Sequence, residues 1–228
     1  MNNEELQRLA MVIGEEKTNK LKDCRIAVFG VGGVGGHLCE ALARCGVGHI
    51  DIFDNDVVSP SNLNRQIIAL HSTLGKKKVD VMRERLLDIN PELDITANDV
   101  FYSAENAELF PLSKYDYIAD AIDSLPSKLE LIRRAKESGT EIISSMGTGN
   151  KLDPTKLEIS DISKTEYCPL AKSVRISLRK MGINHLTVVF SKEEPIKTGE
   201  RTPGSTAFVP ATAGLIMASK IIRDITEK

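Results

Sequence analysis

Aromatic side chains are scarce: phenylalanine and tyrosine make up 4% of the 228 residues and tryptophan is absent, so the composition gives no expectation of a base-stacking surface. Cysteine is also sparse. Cys24, Cys39, Cys45 and Cys168 are scattered without a C-x-x-C pair, which argues against a zinc ribbon. His37, His49, His71 and His185 are dispersed and read as structural or surface residues. No apolar run is long: the longest, 208–219, falls short of the roughly 18 residues a membrane helix needs. Residues 1–21 are polar and charged and lack the apolar centre of a signal peptide. The expectation is a cytoplasmic protein with no membrane partner, where a disulfide framework has no place. Internal repeats and low-complexity tracts are absent.

Apolar residues at 41% and charged residues at 27% are ordinary for a folded globular chain and exclude wholesale disorder. With about 150 residues per domain as a guide, the length suggests one domain with an extension. The net charge of −2 hides an asymmetry: residues 164–201 hold eight Lys/Arg against four Asp/Glu, so +4 there and −6 elsewhere. Such a segment is either a solvated face or a surface that meets a polyanion.

From residue 25 to 145 short apolar runs alternate with helical patterns. Strands are expected at 25–29, 49–53, 93–100, 117–121 and 141–145, with helices from the glycine turn through Arg44, at 75–89 and at 126–137. Alternation of this kind implies right-handed crossovers and a mostly parallel sheet covered on both faces, a doubly wound α/β core. The rhythm changes after Gly147. Strands are expected at 156–161 and 186–190, a basic amphipathic helix at 170–181, a mobile loop at 191–205 and a closing helix at 209–225. Residues 2–22 read as a helical arm. The whole is one domain, 1–228: N-terminal helices (1–22), a nucleotide-binding core (23–147) and a C-terminal α+β extension (148–228) serving substrate or dimer contacts.

Gly30, Gly32, Gly33 and Gly35 follow the first strand and open the first core helix, where a tight turn lets backbone N–H groups approach a phosphate. Asp54 ends the second strand about 20 residues on, where a carboxylate accepts hydrogen bonds from ribose hydroxyls. These features point to a Rossmann-like fold, and the glycines alone favour an NAD-binding dehydrogenase by about three to one. The residues beyond decide otherwise. Asp54-Asn55-Asp56 leads to Asn62, Arg65 and Gln66, then to Lys76-Lys77-Lys78 and Asp120-Ala121-Ile122-Asp123. A dehydrogenase has no need of cations converging there, whereas an enzyme that splits a triphosphate must neutralise charge on the α-phosphate and leaving pyrophosphate while a carboxylate holds Mg²⁺.

The pattern GxGGxG, D-x-D-x-V-x-x-x-N-x-x-R-Q, a following lysine and D-x-x-D is similar to the ubiquitin-activating-like superfamily of adenylating enzymes (ThiF, MoeB and HesA relatives). Within it, N-R-Q-I-x-A-L at 64–70, D-A-I-D-S at 120–124, D-P-T at 153–155, K-T at 164–165 and P-L-A at 169–171 resemble the tRNA threonylcarbamoyladenosine dehydratases. The resemblance implies ATP and Mg²⁺, with Asp54 on the ribose, Asn62 by the phosphates, Arg65 and Lys78 stabilising developing charge, and Asp123 holding the metal. It implies that Arg8 reaches into a neighbouring subunit's site, hence a homodimer, and leaves room for a sulfur- or electron-transfer partner. Each residue also has a plainer role: Asn62 or Asp123 as a helix cap, Arg65 and Lys78 as surface charges.

The implied substrate is threonylcarbamoyladenosine in tRNA. Its carboxylate would be adenylated, and the carbamoyl group would close a five-membered ring and expel AMP. Lys172, Arg175 and Arg179 share a helix face at spacings of three and four. With Lys164, Lys192, Lys197 and Arg201 they are the candidates to track tRNA phosphates. An alternative is adenylation of the C-terminal glycine of a ubiquitin-like sulfur carrier. MoeB and ThiF relatives usually carry two C-x-x-C pairs that this chain lacks. Cys168 stands where dehydratase relatives often carry Asp, and its role is open between a reactive thiol and an ordinary loop cysteine.

Overall fold

The computed structural model describes residues 1–227. The N-terminal arm is two helices, α1 (Asn3–Ile13) and α2 (Glu15–Lys22), divided at Gly14, whose φ of +91° breaks the helix. Helix α1 starts in a capping box: the Asn2 side chain accepts the Glu5 N–H, and the Glu5 carboxylate accepts the Asn2 N–H. Leu21 of α2 enters the main core fully buried, so the arm is tied to the sheet layer.

The core runs β1 (Arg25–Phe29), α3 (Gly35–Arg44), β2 (His49–Phe53), α4 (Lys78–Ile89), β3 (Asp94–Asn98), β4 (Tyr117–Asp120), α5 (Leu125–Ser138) and β5 (Glu141–Ser145). It is followed by β6 (Leu157–Asp161), α6 (Pro169–Lys180), β7 (Thr187–Ser191) and α7 (Phe208–Glu227). One seven-stranded sheet has the order β3-β2-β1-β4-β5-β7-β6, parallel throughout except for β6, which pairs antiparallel with β7 at the edge. The fold is Rossmann-like and doubly wound. Alternation along β1 sends Ile26 and Val28 into a core with Leu38, Met82, Met217 and Ile221, and Ala27 and Phe29 into a second with Leu131, Ile132, Val174 and Leu178. With both faces covered, the strands read as continuous apolar runs rather than alternating ones. The strand order reverses between β1 and β4, and a crevice opens at their carboxyl ends, where such sheets bind ligands.

Helix α4 begins at Lys78 rather than at residue 75. Gly75 takes φ +78° and closes a turn in which Val58 donates its N–H to the Lys76 carbonyl and Val57 bridges Lys77. The third strand is shorter than its alternating pattern, and Asn98 ends it by donating its side-chain amide to the Ile52 carbonyl at 3.1 Å. The segment 192–207 has no helix or strand but is pinned at its ends. The buried Lys151 ammonium donates to the Ser191 carbonyl at 3.2 Å, and Glu193 accepts the Leu152 and Asp153 N–H groups. Further along, Asn150 exchanges hydrogen bonds with Gly204 in both directions. Among the described residues no helix is long and apolar enough to cross a membrane.

Candidate active site

A cleft of about 770 Å³ lies at the switch point, lined by the turns after β1, β2, β4 and β5 and roofed by 202–205. Its floor is the glycine turn. Gly30 adopts φ +90°, and a Cβ there would stand 2.7 Å from the Ala121 carbonyl oxygen; a Cβ on Gly35 would stand 1.8 Å from the Gly30 oxygen. Only glycine lets the strand, the helix start and the β4 turn approach this closely. Val34 at the head of α3 offers no side-chain cap, so the amide end of the helix, with Gly32 and Gly33, faces the cleft as an anion site.

Asp54 borders this floor. Its Oδ2 accepts the Val31 N–H at 2.7 Å and its Oδ1 accepts the Asp56 N–H at 2.9 Å, which fixes the carboxylate and leaves lone pairs toward the cleft. Burial raises the Asp54 carboxyl above its ordinary 3.8, opposed by the Lys78 charge and the two N–H donors. An ionised carboxylate accepts ribose hydroxyls and a protonated one loses that capacity. Nucleotide affinity is therefore expected to hold at neutral pH and to begin falling, on acidification, at a pH above 3.8. Titrating ATP binding against pH checks this, and a decline confined below 3.8 would contradict it.

Lys78 is only 5% exposed, its Nζ 2.7 Å from Asp56 Oδ2 at the cleft wall. Arg65 also lines the cleft, its guanidinium donating to the Ser61 carbonyl at 2.7 Å and Asn64 Oδ1 at 2.9 Å. Asn62 is turned away: buried, its Oδ1 accepts the Ser59 N–H at 3.0 Å, and it does not line the cleft. Its neighbour in the motif, Gln66, is 7% exposed and lines the cleft with an Oε1 that has no partner, a buried acceptor awaiting a donor. That role was not readable from the sequence, where Gln66 is only the second letter of R-Q.

Asp123 lies exposed in the cleft and accepts no hydrogen bond among the described residues. Ser124, not Asp123, takes the cap position of α5. Among the described residues no cluster of three or more His, Cys, Asp or Glu is set to hold a metal. One free carboxylate beside a phosphate site nonetheless suits Mg²⁺, which takes most of its ligands from phosphates and water. Behind Asp123 stands a pair that the sequence concealed. Asp120 and Lys128 are both fully buried, 2.7 Å apart; Lys128 also donates to Ser144 Oγ and the Ser145 carbonyl at 3.1 Å each, and Asp120 Oδ1 accepts the Ile122 N–H at 3.1 Å. The network holds the turn that carries Asp123.

The other candidates are spread more widely. Arg8 is exposed on α1 and does not line the cleft of its own chain. Lys164, Lys172, Arg179, Lys197 and Arg201 are exposed. Arg175 instead folds back on the Thr165 carbonyl at 2.9 Å, and Lys192 pairs with Glu158 at 2.7 Å. Cys168 is 6% exposed, its sulfur accepting the Ala171 N–H at 3.4 Å at the head of α6 and lying against Gly147 of the cleft wall.

The fold and cleft define a doubly wound protein of the nucleotide-binding type, with cationic and carboxylate side chains brought to the amide end of α3. Residues 6–228 match the model of the ThiF family, and the chain belongs to that family. It is 43% identical over 239 residues to the tRNA threonylcarbamoyladenosine dehydratase of Bacillus subtilis (strain 168), covering 97% of this chain and 94% of that one. The crystal structure of the E. coli tRNA N6-threonylcarbamoyladenosine dehydratase in complex with AMP superposes with a TM-score of 0.94 at 33% identity, covering 99% of this chain and 95% of that one. Its complex with ATP gives a TM-score of 0.93 at the same identity and coverage.

Proposed function

We propose that the protein is an ATP-dependent enzyme that adenylates the carboxylate of threonylcarbamoyladenosine in tRNA and dehydrates it to the cyclic form. The observation that carries this reading is the meeting of the glycine turn, Asp54, Arg65, Lys78 and Asp123 in one cleft. The likeness to named dehydratases over nearly the whole chain supports the choice of substrate.

In this reading Asp54 orients the ribose and the head of α3 seats the phosphates. Asp123 would hold Mg²⁺, which when bound would supply charge neutralisation to the phosphates. The substrate carboxylate attacks the α-phosphorus, and the bond to the bridging oxygen of pyrophosphate breaks. Arg65 and Lys78, released from Ser61, Asn64 and Asp56, turn to the charge that develops there. The carbamoyl group then attacks the activated acyl carbon, a ring closes, and AMP leaves with one carboxylate oxygen. Water is lost overall. Closure within one substrate needs orientation more than an enzyme nucleophile. Arg8 completes the site of a second subunit in a homodimer, and the extension 148–228 carries substrate contacts in a cytoplasmic enzyme.

Incubating tRNA that carries the uncyclised nucleoside with ATP, Mg²⁺ and protein tests the reading. Mass spectrometry after gentle nucleoside recovery should show loss of one water with AMP formed in equal amount. AMP formation that instead requires a ubiquitin-like carrier and leaves the tRNA unchanged would favour the sulfur-carrier alternative. Neutralising Lys172 and Arg179 together is expected to weaken tRNA binding several-fold at physiological salt and to flatten its salt dependence, while ATP affinity stays unchanged. Equal losses for both ligands in a binding titration would refute that division.

A further inference from the structure

The four tyrosines and six phenylalanines are few, yet their placement is uneven. Among the described residues only Phe101, Tyr167 and Phe208 are exposed, at 53%, 54% and 46%. Phe101 lines the cleft, Phe208 lies two positions before the lining residue Pro210, and Tyr167 adjoins Cys168, whose sulfur lies against Gly147 of the wall. Tyr167 has a second peculiarity: its φ is +51°, and besides Asn150 it is the only non-glycine residue with a positive φ among those described. A bulky residue in the left-handed region is a true outlier, and such strain persists where the surroundings impose it.

Its neighbours on both sides are held by hydrogen bonds. Upstream, Arg175 donates to the Thr165 carbonyl at 2.9 Å; downstream, Cys168 caps α6 through the Ala171 N–H. A glycine would fit this turn without strain, but the chain places there a ring that points to solvent from a backbone pinned on both sides. The exposed cations Lys164 and Lys172 flank it, three positions before and five after.

We infer that Tyr167 is a base-stacking platform for an unpaired nucleotide of the RNA substrate, next to the base whose side chain enters the cleft. The inference rests on the tRNA reading and adds the residue that grips the loop. Single-stranded RNA is recognised by bases splayed onto aromatic faces beside backbone-tracking cations, and a ring held rigidly in place loses little freedom on binding. The low aromatic content gives no expectation of stacking; the placement of the exposed rings supplies one.

The test uses the full-length protein and an anticodon stem-loop RNA carrying a fluorescent adenine analogue in the loop. Wild type should quench the fluorophore on binding. Tyr167→Phe should keep affinity within about twofold, whereas Tyr167→Ala and Tyr167→Gly should lose roughly ten- to a hundredfold together with the quenching. ATP affinity should not change in any variant. Tyr167→Gly should melt no lower than wild type, since the left-handed turn suits glycine, so its RNA defect would not reflect unfolding. The salt slope should stay at the wild-type value, unlike that of Lys172→Ala. Wild-type RNA affinity in Tyr167→Ala and Tyr167→Gly would overturn the inference and leave the tRNA reading standing. Failure of the wild-type protein to bind the RNA at all would overturn both.

Discussion

Asp123→Ala is expected to lower AMP formation by at least about a hundredfold while leaving the fold intact, because in the proposed reaction this carboxylate, alone among those of the described residues lining the cleft in having no hydrogen-bond or ion-pair partner, would hold Mg²⁺. The side chain is exposed and accepts no hydrogen bond among the described residues, so its loss should change stability by no more than about 0.5 kcal/mol. Single-turnover assays paired with a thermal melt separate the two effects. Raising Mg²⁺ should restore part of the activity of Asp123→Asn but none of that of Asp123→Ala. An alanine variant with wild-type turnover would remove Asp123 from the reaction.

Lys128→Met should cost about 3–5 kcal/mol of stability, because it leaves Asp120 buried without its counter-charge. The pair itself contributes little net stability: two charges taken from water cost about what their attraction returns. Replacing both, as Lys128→Met with Asp120→Asn, should therefore recover most of the lost stability. What the pair supplies is position. Asp120 accepts the Ile122 N–H and Lys128 reaches Ser144 and the Ser145 carbonyl, so the turn after β4 and the end of β5 are fixed together at the cleft. Urea unfolding of the single and double variants decides the matter. A single variant within 1 kcal/mol of wild type would mean that the interior relaxes around Asp120 and that the network does not brace the turn.

The strands were readable because a parallel sheet buried on both faces writes itself as short apolar runs, as in Arg25–Phe29 and His49–Phe53. The glycine turn was readable because Gly30 and Gly35 stand where no side chain fits. Side-chain direction was not. Asn62 and Gln66 belong to one motif, but the first turns back to the Ser59 N–H and the second lines the cleft, a difference set by the local 3-10 turn and not by letter order. Lysine in a helix ordinarily reads as solvated, so nothing in the run 126–137 marks Lys128 as fully buried; its partners come from two neighbouring strands. Arg175 likewise spaces with Lys172 and Arg179 on a helix but is occupied by a carbonyl ten positions upstream.

In the proposed reaction this cleft joins a carboxylate oxygen to the α-phosphorus of ATP. Labelling the threonyl carboxylate of the tRNA nucleoside with heavy oxygen and following one turnover tests it directly. One labelled oxygen should appear in the AMP released and none in the pyrophosphate, with the dehydrated nucleoside in equal yield. AMP without label, or label found in inorganic phosphate beside ADP, would contradict it.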